Sequence, residues 1–119
     1  MTPLMFLLAS VAGGVGAGLR YLVDIAIMSV TKGRFPWGIV IVNITGSFAL
    51  GLVASALPDA AFVIGAGLLG GYTTFSTAMI DTIALWKDGE RRGSVLHLLG
   101  TFAASVVAAL IGLGLGAML

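Results

Sequence analysis

A hydrophobic run long enough to cross a bilayer is interrupted at its centre by G-G-Y-T-T-F-S-T, Gly70 to Thr77. Adjacent glycines each cost about 1 kcal/mol relative to alanine inside a helix, and Ser and Thr side chains compete there for backbone partners. The stretch is therefore a poor continuous helix. Lipid offers no hydrogen bonds, so irregular backbone at membrane depth survives only where protein buries it or it lines a wet cavity. An interruption at Gly70, Gly71 and Thr73 to Thr77 would present helix-end amides, carbonyls and hydroxyls to an ion, as broken helices do in channels and transporters. The same glycines also suit close helix packing, and the pattern alone leaves both readings open.

The surroundings make this a membrane protein. Of 119 residues, 59% are hydrophobic and 9% charged, a balance no soluble domain of this size can hide. A span needs roughly 20 apolar residues, and the predicted architecture is all-α: four transmembrane helices at about 3–30, 37–57, 61–86 and 94–118 in one domain over 1–119. That leaves no room for a separate catalytic or nucleotide-binding domain. The apolar start lacks a basic leader and a cleavage site, so it reads as the first span rather than a signal peptide. With no Cys there is neither a disulfide framework nor a thiolate metal site, and a net charge of +1 argues against nucleic acid.

Each span carries its own polar punctuation. In the first, Gly14 and Gly18 stand at GxxxG spacing, and Arg20 and Asp24 are one turn apart, able to pair near a helix end. In the second, Asn43 is the only carboxamide in the chain; inside an apolar helix it must face a partner helix or water, with Ser47 one turn on. Asp81 follows the interruption in the third span, as a gate beside an ion path, as the partner of a neighbouring cation or as a solvated vestibule carboxylate. In the fourth, His97, Thr101 and Ser105 recur every four residues, a polar stripe that does not suit lipid. A lone His with no second ligand at metal spacing is no metal site. Phe35, Trp37 and Trp86 sit where interfacial aromatics settle.

Together, G-G-x-G-A-x-x-R-Y (Gly13 to Tyr21), V-N-x-x-G-S-F-x-x-G (Val42 to Gly51) and G-G-Y-T-T-F-S-T resemble the Fluc, or CrcB, fluoride channel family over essentially the whole chain. The resemblance implies an antiparallel, dual-topology homodimer in a prokaryotic plasma membrane, with two fluoride paths at the subunit interface and a central sodium ion held by backbone carbonyls. Carried across, it places Asn43, Phe75, Thr77, Thr101, Ser105 and His97 along the fluoride path, the carbonyls of Gly70 and Thr73 on sodium, and Arg20 at the first-helix arginine. Ala78 stands where the family has a second Phe, Ile39 where it often has Thr, and His97 where an aromatic hydroxyl often begins the track. Fluoride is small and strongly hydrated, so donors rather than bulk positive potential must replace its water, and hydroxyls, an amide and the positive rim of a Phe ring can do so.

Loops 1 and 3 hold Lys32, Arg34, Lys87, Arg91 and Arg92, whereas loop 2 and both ends hold no Lys or Arg. The positive-inside rule therefore favours both termini outside, a bias at odds with dual topology and one that fits a heterodimer with an oppositely inserted homologue. The main rival class, a four-helix proton-coupled multidrug exporter, needs a membrane-embedded acid in the first helix, where only Asp24 is present. A purely structural subunit leaves Asn43 and the hydroxyl stripe unexplained, and no nucleophile, base and orienting group assemble into an enzyme site.

Overall fold

The computed structural model describes residues 2–119. Its elements are helix α1 (Pro3–Thr31), α2 (Trp37–Ala56), a 3₁₀ turn (Pro58–Ala60), a π-helical segment (Ala61–Leu69), the single turn α3 (Gly70–Tyr72), α4 (Phe75–Lys87) and α5 (Arg91–Ala117). Four stretches, Pro3–Thr31, Trp37–Ala56, Pro58–Lys87 and Arg91–Ala117, are long and apolar enough to cross a membrane. Spans one to three thus start and stop within a few residues of expectation.

Local chemistry sets the ends. The Thr2 hydroxyl accepts the Met5 N–H at 3.2 Å and Pro3 occupies the first turn, where a missing N–H costs nothing. α1 stops where Lys32 turns left-handed (φ 51°). The last connection is tighter than the charge pattern suggests. Gly89 (φ 84°) reverses the chain and the Glu90 N–H reaches Leu85 O at 2.9 Å, so Arg91 and Arg92 already belong to α5. Arg34 and Asp88 pair at 3.6 Å across loops 1 and 3, which fixes both loops at the same end of the bundle.

Two seams hold the helices together, and glycine makes both. A Cβ on Gly16 would run into Leu68 O, and one on Gly71 into Gly13 O, so α1 lies backbone to backbone against the π segment and α3. Likewise Gly51 meets Ala109 O and Gly112 meets Phe48 O where α2 crosses α5. Without a hydrophobic force between helices in lipid, such close approach supplies the packing energy. Gly14 and Gly18 take no part, since a Cβ on either would meet nothing within 4 Å. At about 100° per residue, the face bearing Gly13 and Gly16 is the one turned to the third span.

Arg20 and Asp24 do not pair either. Arg34–Asp88 is the only ion pair among the described residues, and Asp24 instead lies against the backbone of Gly38 at the start of α2. Helical spacing permits an Arg–Asp contact, but the gap left by glycine accepts the short acid and turns it away.

Candidate functional site

The interruption in the third span is only two residues wide. Gly70 and Gly71 stay helical; Thr73 (ψ 157°) and Thr74 (φ −148°, ψ 122°) are extended. Gly71 is therefore a packing residue, Gly70 meets nothing closer than an ordinary contact within its own span, and the threonines make the break.

Two side chains satisfy the exposed backbone. Asn43 Nδ2 donates to Thr74 O at 2.9 Å while the Thr74 N–H donates to Asn43 Oδ1 at 2.8 Å, a two-point clasp from α2. The Thr74 hydroxyl then accepts the Thr77 N–H at 3.2 Å and caps α4. Both bonds draw amides away from the carbonyls they would meet in a continuous helix. Gly70 O loses the Thr74 N–H, and Thr73 O loses the Thr77 N–H, each four residues on. Asn43 thus creates as well as stabilises the irregular backbone.

Beside the clasp lies a cleft of about 410 Å³ between α2, the break, α4 and α5. Asn43, Ser47, Thr73, Thr74, Thr82, His97, Thr101 and Ser105 supply its polar atoms; Phe75, Ala78, Met79 and Phe102 are among its apolar lining. No carboxylate, lysine or arginine lines it. The stripe on α5 faces inward: His97 is 1% and Thr101 8% exposed. Thr101 Oγ1, Ser105 Oγ and His97 Nε2 are shut off from solvent without a partner. Helical Ser and Thr usually bond back to their own carbonyls, as Thr45 and Ser55 do here. Thr101 and Ser105, which line the cleft, do not, so their hydroxyls are left without a hydrogen-bond partner.

Of the residues singled out in sequence, Asn43, Phe75, Thr101, Ser105, His97 and Thr73 meet at this cleft. Thr77 does not line it; its backbone N–H serves the cap. Asp81 faces a separate hollow of about 90 Å³ with Arg34 and Asp88, and Arg20 lines neither. Phe35 is not an interfacial anchor alone; its ring packs edge-on over His97 at 5.5 Å between centroids.

Thr74 lies within the interruption read from the sequence, but its part as clasp and cap does not follow from that reading, and Thr82 and Ser94 carry no sequence signal at all. Thr74 stands three residues before Thr77, the spacing of a helix cap, which was a usable signal. Thr82 Oγ1 lies 2.8 Å from His97 Nδ1 and Ser94 Oγ donates to Thr82 O at 2.7 Å, contacts between helices that no local pattern marks.

The arrangement offers several weak neutral donors and two exposed aromatic rings, Phe75 and Phe102 (78% and 70% exposed), in an uncharged wall. Such a surface can strip water from a small hydrogen-bond-accepting ion without trapping it through a fixed charge.

Comparison with known proteins points the same way. Residues 7–113 match the profile of the family described as CrcB-like protein, Camphor Resistance (CrcB). The chain is 40% identical over 124 residues to "Fluoride-specific ion channel FluC 1" of Leifsonia xyli subsp. xyli, covering 99% of this chain and 90% of that one. It is 38% identical to the "Fluoride-specific ion channel FluC" of Mesorhizobium japonicum, covering 92% and 90%. To "Fluoride-specific ion channel FluC 2" of Mycobacterium bovis it is 41% identical, covering 84% and 81%.

Proposed function

This chain belongs to the CrcB family, and from that premise we propose that it is a fluoride-selective channel that relieves the cell of fluoride by passive conduction through a prokaryotic plasma membrane. The observation that carries the reading is the set of unpartnered hydroxyls, Thr101 and Ser105, facing a cleft without charge. Fluoride accepts short hydrogen bonds and gives none, so a track of donors suits it, and the edge of Phe75 adds a weak electropositive contact. Asn43 also lines the cleft and has a second amide proton not used on Thr74 O, a further donor of the same kind.

Gly70 O and Thr73 O, deprived of their helical donors, suit a hard monovalent cation, and sodium is the ion we assign to them. When bound it supplies positive charge without a titratable group. These carbonyls belong to one subunit, and a second copy inserted in the opposite sense would bring the matching pair. The same copy would cover Phe75 and Phe102, 78% and 70% exposed beside the cleft, and close it into a path. Large apolar side chains such as Leu7, Leu22, Val107 and Leu110 make up much of the remaining exposed surface of α1 and α5.

The test is purified protein in liposomes loaded with potassium fluoride, with release followed by a fluoride electrode after a potassium ionophore is added and with chloride as control. Rapid fluoride-selective release supports a self-sufficient homodimer in which Ala78 is tolerated. No release from folded protein alone, restored by an oppositely inserted homologue, would replace the homodimer by a heterodimer.

A further inference from the structure

His97 is the only histidine in the chain and its ring is 1% exposed, yet one of its nitrogens has no partner. The other is held by Thr82, and the proton count at Thr82 decides what the ring can do. The Thr82 hydroxyl has a single proton. Its oxygen lies 2.8 Å from Ala78 O, which can only accept, and 2.8 Å from His97 Nδ1. Both contacts are hydrogen bonds only if Thr82 donates to Ala78 O and accepts from His97 Nδ1–H. Ser94, donating to Thr82 O, and Phe35, edge-on over the imidazole, keep helix and ring in register. The neutral ring is then the Nδ1–H tautomer, and Nε2 is a buried, unpartnered lone pair on a residue that lines the cleft beside the unpartnered hydroxyls of Thr101 and Ser105.

We propose that His97 is a proton-controlled anion site within the fluoride path, held by Thr82 so that Nε2 repels a passing anion when neutral and donates to it when protonated. The inference rests on the channel reading given above. Protonation at Nε2 forms one N–H bond and places a positive charge on the ring, and Nδ1–H keeps its bond to Thr82, so the switch requires no rearrangement. A cationic donor beside Thr101 and Ser105 turns a series of weak contacts into one strong one, and an ion that binds strongly leaves slowly.

No charged side chain lines the cleft beside it. α2 carries no charged side chain, and α1, with Arg20 and Asp24, packs on α2 and the third span rather than on α5. On α4 and loop 1 the nearest ionic residues, Asp81 and Arg34, belong to the separate hollow with Asp88. Arg91 on α5 is held over the Trp86 ring at 4.7 Å.

The experiment uses the full chain purified through a histidine-free tag, with nitrogen-15 in its single histidine. Solid-state NMR in liposomes at pH 8 should show the proton on Nδ1 and a bare Nε2, and acidification towards pH 5 should protonate both nitrogens. Fluoride release, corrected for the leak of hydrogen fluoride through protein-free vesicles, should be at least about fivefold slower at pH 5.5 than at pH 7.5. In H97Q the two rates should agree within about twofold, whatever their absolute value, and T82V should show a mixture of tautomers. An Nε2–H tautomer at pH 8, or the same pH ratio in wild type and H97Q, would overturn the proposal. Absence of release from wild type at every pH would instead remove the channel reading itself, and the anion site with it.

Discussion

The two seams of this molecule are built from the same residue types and serve opposite ends. Along the first, α1 lies on the π segment and α3 with glycine carbonyls and backbone atoms in contact, and no space remains for a methyl group at Gly16 or Gly71. Across the molecule, α2 and α5 meet just as closely at Gly51 and Gly112, but above that crossing the helices part around α4 and leave a cleft with hydroxyls that bond to nothing. In the first region small residues consume all the space. In the second they support a gap. Glycine content alone therefore does not separate packing from function; unpartnered donors do.

The contrast is most sharply broken by filling the closed seam. Gly16→Leu or Gly71→Leu forces a side chain into backbone, which cannot yield as a flexible side chain can, and should cost about 3 kcal/mol or more, leaving no monodisperse protein on size exclusion in detergent. Next comes the clasp. Asn43→Leu removes a donor and an acceptor at once and leaves both Thr74 backbone groups unsatisfied, a loss of about 2–5 kcal/mol visible in thermal unfolding, together with loss of fluoride flux. Thr101→Val sharpens the comparison from the other side. The hydroxyl has no partner within the subunit, so the variant should unfold within about 0.5 kcal/mol of wild type or slightly later, while flux falls by tenfold or more. A drop in stability with flux intact would return Thr101 to a structural role. The smallest effect is at the rim. Arg34 and Asp88 are 67% and 53% exposed, and Arg34→Ala should shift stability by no more than about 0.5 kcal/mol, less in high salt.

The sequence made the spans, the location of the interruption and the inward stripe on α5 legible, because length, hydropathy and a period of four residues are local properties. What it hid depended on partners. The break belongs to Thr73 and Thr74 rather than to the glycine pair because Asn43, 31 positions earlier, takes the Thr74 amide. Arg20 and Asp24 have ideal helical spacing, but Gly38 offers the acid a berth on another helix. The π winding of Ala61–Leu69 has no marker in its residues, and Thr82 acquires meaning only when His97 arrives beside it. GxxxG at Gly14 and Gly18 shows the limit of a motif: the spacing is right, and the face is turned outward.

The pairing of α2 with α5, the most extensive helix contact in the chain, also bears on how the protein is made. Synthesis delivers α2 to the membrane well before α5, so during translation its cleft-forming side, Asn43 included, waits without its main companion. α1 and the third span can close their seam in the meantime from the segments already inserted. The closed seam can thus form early, whereas the cleft, walled by α2, α4 and α5, takes shape only when α5 docks.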